Sequence, residues 1–257
     1  MLSGMGALWT SRQAAAYKSY TSVLGQFNFL LNYFDMVTGA HHVMPAAVIT
    51  QVRTAAMTAW AATKICCTSP RKLALFGPGL HGRSHLEALQ ETLCFSEIAV
   101  ADTANVSGAC AEYAMRYGIP TRQVQAQVAV TNADLVVTVT RSRQPVLDGH
   151  WLKPGAGVCA VGTSLPSGTE IDAVTRQRCN RVVVEWKPQS MMEAGEIVMG
   201  LSDGSLSADR IFDIGELENL GVASRERAED SELFKAVGIG LSDLVAARLA
   251  VLSLAGR

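Results

Sequence analysis

Charge is scarce in this chain of 257 residues. Lys, Arg, Asp and Glu make up 18% of it and nearly cancel, to a net −1. No dense Lys/Arg run occurs, which argues against nucleic acid and against an anionic membrane surface as partners. Long hydrophobic runs are missing too. No apolar stretch reaches the roughly 18 residues of a membrane span, and the opening MLSGMGALWTSRQ lacks the charged-then-apolar layout of a secretory leader. The six cysteines, Cys66, Cys67, Cys94, Cys110, Cys159 and Cys179, form no C-x-x-C pair. Their scatter through apolar segments reads as free buried thiols in a reducing cytosol, with no metal site expected. Repeats and low-complexity tracts are absent as well. What is present is 49% hydrophobic sequence, enough for a sizeable core and too much for disorder. The length suits one large domain or two interleaved ones.

Three zones differ in texture. Residues 16–35 are aromatic and branched with a break at Gly25, and predict two strands, followed by a turn at Thr38-Gly39. Residues 47–66 contain no Gly or Pro and many Ala, and predict a helix that Ser69-Pro70 ends. The second zone alternates. Strands are expected at 72–77, 97–102, 134–140, 157–162 and 181–186, with helices at about 80–93, 105–117 and 189–200. Several of these strands are nearly continuous apolar runs, as parallel strands covered on both faces require. The rhythm predicts a doubly wound parallel sheet of the Rossmann type. The third zone, 231–254, reads mostly as a long apolar helix whose natural partner is the Ala-rich helix at 47–66. The chain would thus leave a first domain (1–66), build the sheet domain (67–230) and return (231–257).

Between the first strand and helix of the sheet lies GPGLHG, with Gly77, Gly79 and Gly82 in G-x-G-x-x-G spacing. Alone such a cluster is weak. Here an apolar strand precedes it and RSHLEALQETL follows, which is the setting in which glycines let a backbone approach a pyrophosphate at a helix N-terminus. Gly77, Gly79, Leu80, His81 and Gly82 are therefore the expected phosphate loop. Asp102 ends the next strand, 20 residues after Gly82, where an acid can accept bonds from the adenosine ribose. Thr103-Ala104-Asn105 offers no cation for a 2′-phosphate, so NAD is expected ahead of NADP. His81 and His85 read as solvent-facing helix residues, and none of the five histidines is assigned as a catalyst.

Several blocks, AYKSYTSV, QVRTAAMTA, LFGPGLHGRSHLEAL, ADLVVTVTRSRQPVLDGHWLKPGAGVCAVGTSLPSGTEID and ELFKAVGIGLSDLVAARL, together resemble the ornithine cyclodeaminase/mu-crystallin family over nearly the whole chain. The resemblance implies a Rossmann domain inserted into a smaller α+β substrate and dimerisation domain. It also implies homodimers and chemistry at the C–N bond of amino acids or cyclic imines. It implies that Lys18 and Arg53 are candidate catalytic residues holding a substrate carboxylate, a task suited to a fixed cation pair. It adds Thr138, Thr140, Val161, Gly162 and Thr163 to the cofactor site.

Two departures matter. The family's cyclodeaminases carry an acid just after the VG of the GVCAVG strand; here Ser164 stands there, and an aliphatic hydroxyl is a poor base. Mu-crystallin-like members also have Ser and are associated with ketimine reduction. Family members also have a longer segment ahead of AYK, whereas this chain begins 17 residues before Lys18. Either the start of the chain is misassigned, or a shortened and incomplete substrate site is expected. The leading expectation is an NAD(P)H-dependent reductase of small cyclic ketimine carboxylates. Ornithine cyclodeaminase, an alanine-type dehydrogenase and a cofactor-binding protein without turnover remain open.

Overall fold

The computed structural model describes every residue except Met1, Leu24, Gly25, Cys67, Thr68, 220–226, Ala255 and Arg257. The break expected at Gly25 and the thiol of Cys67 lie outside the described residues. The first elements are β1 (Leu2–Trp9), β2 (Ala14–Val23), β3 (Gln26–Asp35), β4 (His41–Pro45) and α1 (Ala47–Ile65). There follow β5 (Lys72–Phe76), α2 (Leu80–Thr92), β6 (Glu97–Ala101), α3 (Ser107–Tyr117), β7 (Thr121–Gln123), α4 (Ala126–Val130), β8 (Leu135–Thr138) and β9 (Gly157–Ala160). The chain ends with α5 (Ala173–Arg178), β10 (Cys179–Val184), α6 (Lys187–Glu193), α7 (Gly195–Asp203), β11 (Ile211–Asp213), α8 (Ile214–Asn219), β12 (Ser231–Lys235) and α9 (Gly240–Leu254). Two compact units result: 1–54 with 238–257, and 55–237. The division falls within α1.

The smaller unit is an antiparallel sheet in the order β1-β2-β3-β4 with α9 packed on it. Side chains alternate along β2, so Ala14, Ala16 and Lys18 share the covered face while Tyr17 is exposed. The two alanines leave room for α9, whose Leu244 and Ala247 are buried against them together with Leu31 and Tyr33. The helix thus finds its main partner in the sheet, and the expected pairing with the Ala-rich helix gives way to it. Strands β1 and β4 were not anticipated; alternating small and large residues in LSGMGALW leave little periodic signal. At the β3–β4 turn the Asp35 carboxylate accepts from the Val37 and Thr38 N–H groups.

The larger unit is an eight-stranded sheet in the order β11-β10-β12-β9-β8-β5-β6-β7, with every pairing parallel. Its central strands are buried on both faces. Ala74, Phe76, Val136, Val158 and Leu233 point into one core, and Leu73, Leu75, Val137, Cys159 and Phe234 into the other. That period of two explains why the runs read as continuously apolar. From β5 the chain steps through β6 to β7 on one side, then returns to place β8 and β9 on the other. The reversal leaves a crevice beyond the carboxyl ends of β5 and β8, where ligands of such sheets bind.

Two sequence expectations are corrected. Residues 231–235 are not helical: SELFK is β12, buried along its whole length between β10 and β9. Five residues between two parallel neighbours are held by ladder bonds, which override any helical preference. The helix begins only at Gly240, and the smaller unit resumes at Gly238. The helix expected at 189–200 is two, α6 and α7, separated by the extended Ala194. Gly195 there lies so close to the Gly168 carbonyl that a side chain would overlap it.

Candidate active site

In the smaller unit a cluster of charge is built on β2, α1 and α9. Lys18 is 1% exposed, because the alternation of β2 turns it to the covered face. Its Nζ lies 2.7 Å from Asp243 Oδ2 and donates to Thr50 Oγ1 at 3.4 Å. Arg53, also buried, donates from Nε to Asp243 Oδ1 at 3.0 Å. One carboxylate thus orients two cations. Gly238 has a φ of +86°, and a Cβ there would stand 2.7 Å from Arg53 Nη2. The guanidinium is therefore laid against bare backbone, which a larger residue would displace. The structure brings Lys18 and Arg53, both singled out from the sequence, together with Asp243, the closing Asp of the LFKAVGIGLSD block, which was not. Its pairing depends on a contact across the chain that spacing does not reveal.

In the larger unit, the GPGLHG loop leaves β5 and enters α2. Gly77 has a φ of +85°, and a Cβ on it would stand 2.7 Å from the Val139 carbonyl oxygen. A side chain on Gly82 would overlap the Gly77 carbonyl. These two glycines are thus demanded by the fold. Gly79 differs: it is the N-cap of α2, has no side-chain cap, and a Cβ there would meet nothing within 4 Å. Open space over a helix N-terminus is what close approach of a phosphate requires. Leu80 and His81 are exposed beside it. Tyr113 on α3 donates to the Pro78 carbonyl at 2.9 Å and so fixes the loop; burial pushes its hydroxyl pKa up to about 12. Asp102 is exposed just beyond β6, with Oδ1 accepting from the Ala104 N–H at 2.9 Å.

His85 does not face solvent as expected. It is fully buried, its Nδ1 donates to the His81 carbonyl at 2.7 Å, and its Nε2 accepts from Thr58 Oγ1 at 3.1 Å. Burial lowers its pKa to about 4. The i, i+4 bond back to His81 places the ring against α1, a position the sequence alone does not distinguish from the outer face.

Beyond β8 and β9 the expected cofactor residues are gathered by an acid that sequence reasoning did not single out. Glu170 is fully buried. It accepts from Thr138 Oγ1, from Thr140 N and Oγ1, and from Gly162 N. Thr138 has no exposed surface, and its hydroxyl donates to Glu170 at this edge of the crevice. Val161 N donates to the Thr138 carbonyl at 2.8 Å. Thr163 is buried, and its carbonyl accepts from Lys235 Nζ at 2.5 Å. Ser164 is exposed at the tip of this segment.

A family model described as ornithine cyclodeaminase/mu-crystallin matches residues 14–254. The chain belongs to that family. It is 31% identical over 234 residues to ketimine reductase mu-crystallin of Macropus fuliginosus, covering 90% of this chain and 71% of that protein. To the Δ1-pyrroline-2-carboxylate reductase of Bacillus cereus it is 27% identical over 210 residues, covering 80% and 64%. Among solved structures, the probable ornithine cyclodeaminase from Bordetella pertussis Tohama I superposes with a TM-score of 0.94 at 34% identity, covering 99% of this chain and 82% of that one. The chain spans 62% to 71% of the length of these curated relatives and others like them. As a member of the ornithine cyclodeaminase/mu-crystallin family it has that family's fold, a parallel α/β sheet joined to a small antiparallel unit.

Proposed function

We propose that this chain is an NAD(P)H-dependent reductase of a small cyclic ketimine carboxylate. The observation that carries the reading is the arrangement of acids around Val161–Ser164. Ser164 exposes a hydroxyl, and Glu170, the carboxylate bonded to the segment, is buried with both oxygens engaged. Cyclodeamination of ornithine needs repeated proton transfers, and so a base of suitable pKa. Reduction of a ketimine needs one hydride and one proton, and the imine can arrive already protonated. The names of the two curated relatives, a ketimine reductase and a pyrroline-2-carboxylate reductase, support the same choice.

In this reading Lys18 and Arg53 hold the substrate carboxylate, with Arg53 able to grip it through two N–H groups. Asp243 holds both cations in place through its two oxygens. Gly79 leaves the phosphate space open, and Leu80 and His81 flank it. Asp102 accepts from the adenosine ribose and repels a 2′-phosphate, which favours NAD while leaving NADP a weaker ligand. A bound nicotinamide supplies the hydride. Lys18 or solvent supplies the proton to the imine nitrogen.

The deciding experiment is a panel of pyrroline-2-carboxylate, piperideine-2-carboxylate, pyruvate with ammonia, and ornithine, each with both cofactors. NADH oxidation with a cyclic ketimine and little proline from ornithine is expected. Robust conversion of ornithine to proline would favour the second reading, ornithine cyclodeaminase, which the name of the Bordetella pertussis neighbour suggests.

The smaller unit is proposed as the substrate and dimerisation domain, and the larger as the cofactor domain. The strands of the smaller unit leave Leu8, Phe27, Leu30 and Val43 exposed, apolar side chains of the kind a second subunit covers. A homodimer is expected by light scattering, and a monomer mass at micromolar concentration would contradict it.

A further inference from the structure

We propose that Glu170 is a positioning residue for the nicotinamide end of the cofactor, an assignment that rests on the cofactor reading above. Its carboxylate joins two segments on one side of the switch point. Oε1 accepts from Thr140 N and from Thr140 Oγ1, both at 2.7 Å. Oε2 accepts from Gly162 N at 2.6 Å and from Thr138 Oγ1 at 3.0 Å. An ionised carboxylate offers about four acceptor sites, and four donors meet this one. The carboxylate thus offers each oxygen to two donors, one of them a backbone N–H. Its bonds are charge-assisted and stronger than neutral ones, so it clamps the segment after β8 to the segment after β9.

A second grip lies behind the first. The Glu170 N–H donates to Glu196 Oε1 at 3.0 Å, and Glu196 Oε2 lies 2.9 Å from Lys235 Nζ, with Glu196 and Lys235 both fully buried. Lys235 in turn donates to the Thr163 carbonyl. Gly162 is thus held through its N–H by Glu170 and Thr163 through its carbonyl by Lys235 of β12, with Glu196 of α7 bonded to both of those partners. A segment fixed at two consecutive residues by buried charge is a rigid wall.

The direction of the ligand follows from the topology. Asp102 lies past β6, on one side of β5, whereas β8 and β9 lie on the other. A dinucleotide with its ribose at Asp102 and its pyrophosphate over Gly79 extends toward the ends of β8 and β9. The wall set by Glu170 therefore meets the nicotinamide half, where displacement of about 1 Å can cost on the order of a hundredfold in rate.

The bonding pattern also supplies the probe. Each Glu170 oxygen takes one backbone N–H, and backbone donors cannot turn away. Glu170→Gln, nearly isosteric, must therefore set its NH2 group against the N–H of Thr140 or of Gly162 in either orientation. Thr140→Val keeps shape and loses one hydroxyl donor, while Thr140→Ser restores it.

Full-length wild type and these three variants are titrated with NADH and with ADP-ribose, which lacks the nicotinamide, and assayed with pyrroline-2-carboxylate. Glu170→Gln should bind ADP-ribose within about twofold of wild type and NADH about tenfold more weakly, with kcat reduced and KM for the imine unchanged. Thr140→Val should shift NADH in the same direction, and Thr140→Ser should match wild type. Equal loss of NADH and ADP-ribose, or NADH binding as in wild type, overturns the role. If Glu170→Gln does not fold, the Thr140→Val and Thr140→Ser pair is judged by the same criterion. Wild-type protein that binds neither ligand overturns the cofactor reading and this role with it. Wild-type binding of both, matched by the variants, overturns this role alone.

Discussion

Arg53 Nε and Asp243 Oδ1 lie 3.0 Å apart although 190 positions separate them in the chain. The same aspartate binds Lys18, so α1, β2 and α9 meet at one buried carboxylate. Removing one member of a buried ion pair strands the others without solvent, which costs about 3–5 kcal/mol. Asp243→Ala should lower unfolding free energy in urea by about that amount, more than Lys18→Met, which removes one charge and leaves Asp243 with Arg53. A loss below about 1 kcal/mol for Asp243→Ala would contradict the cluster.

The glycine loop should separate folding from binding. Gly79→Val adds a side chain to open space, so the melting temperature of the protein alone should stay within about 2 °C. The stabilisation that NADH confers by mass action should vanish. Gly82→Ala, which overlaps the Gly77 carbonyl, should lower stability by about 2 kcal/mol even without ligand. If Gly79→Val retains the NADH shift, the phosphate position is wrong.

Acid stability should carry the mark of His85. In the folded chain burial holds its pKa at about 4, against an ordinary 6.5. The unfolded chain therefore takes up the proton first as pH falls. The stability is complete above about 6.5, declines through that window, and is lost once pH passes below about 4, for a total on the order of 3 kcal/mol. His85→Gln should flatten that limb of a stability-against-pH curve. An unchanged slope would show that other groups set it.

Cofactor choice should follow Asp102. Wild-type protein should prefer NADH, and Asp102→Ser should narrow the gap by removing the repulsion of a 2′-phosphate, by about tenfold in the ratio of kcat/KM. A tenfold wild-type preference for NADPH would sink the assignment.

What was legible in the sequence was local. LALF, IAVA, LVVT and GVCA announce buried parallel strands because each residue must be apolar when both faces are covered, and GPGLHG announces a sharp strand-to-helix turn. Lys18 and Arg53 were singled out through a family resemblance, since an isolated lysine in a strand and an arginine in an Ala-rich helix ordinarily face water; the structure shows both buried. SELFK was misread because five residues ahead of a helix carry too little periodicity to separate strand from helix. His85 was misread because one turn of α2 separates it from the exposed His81.

The sequence by itself thus determined the strands β5, β6, β8, β9 and β10, the helices α2 and α3 between them, and the glycine loop with the acid that follows it, because each follows from steric and periodic rules acting over a few residues. Only the tertiary structure decided which acids matter. Asp243 gains its meaning from two cations brought to it by other elements. Glu170 gains its own from the side-by-side placement of β8 and β9, which sets three residues of the chain around one carboxylate. Burial makes such groups bond fully or not at all, and burial belongs to the packed chain, not to any stretch of letters.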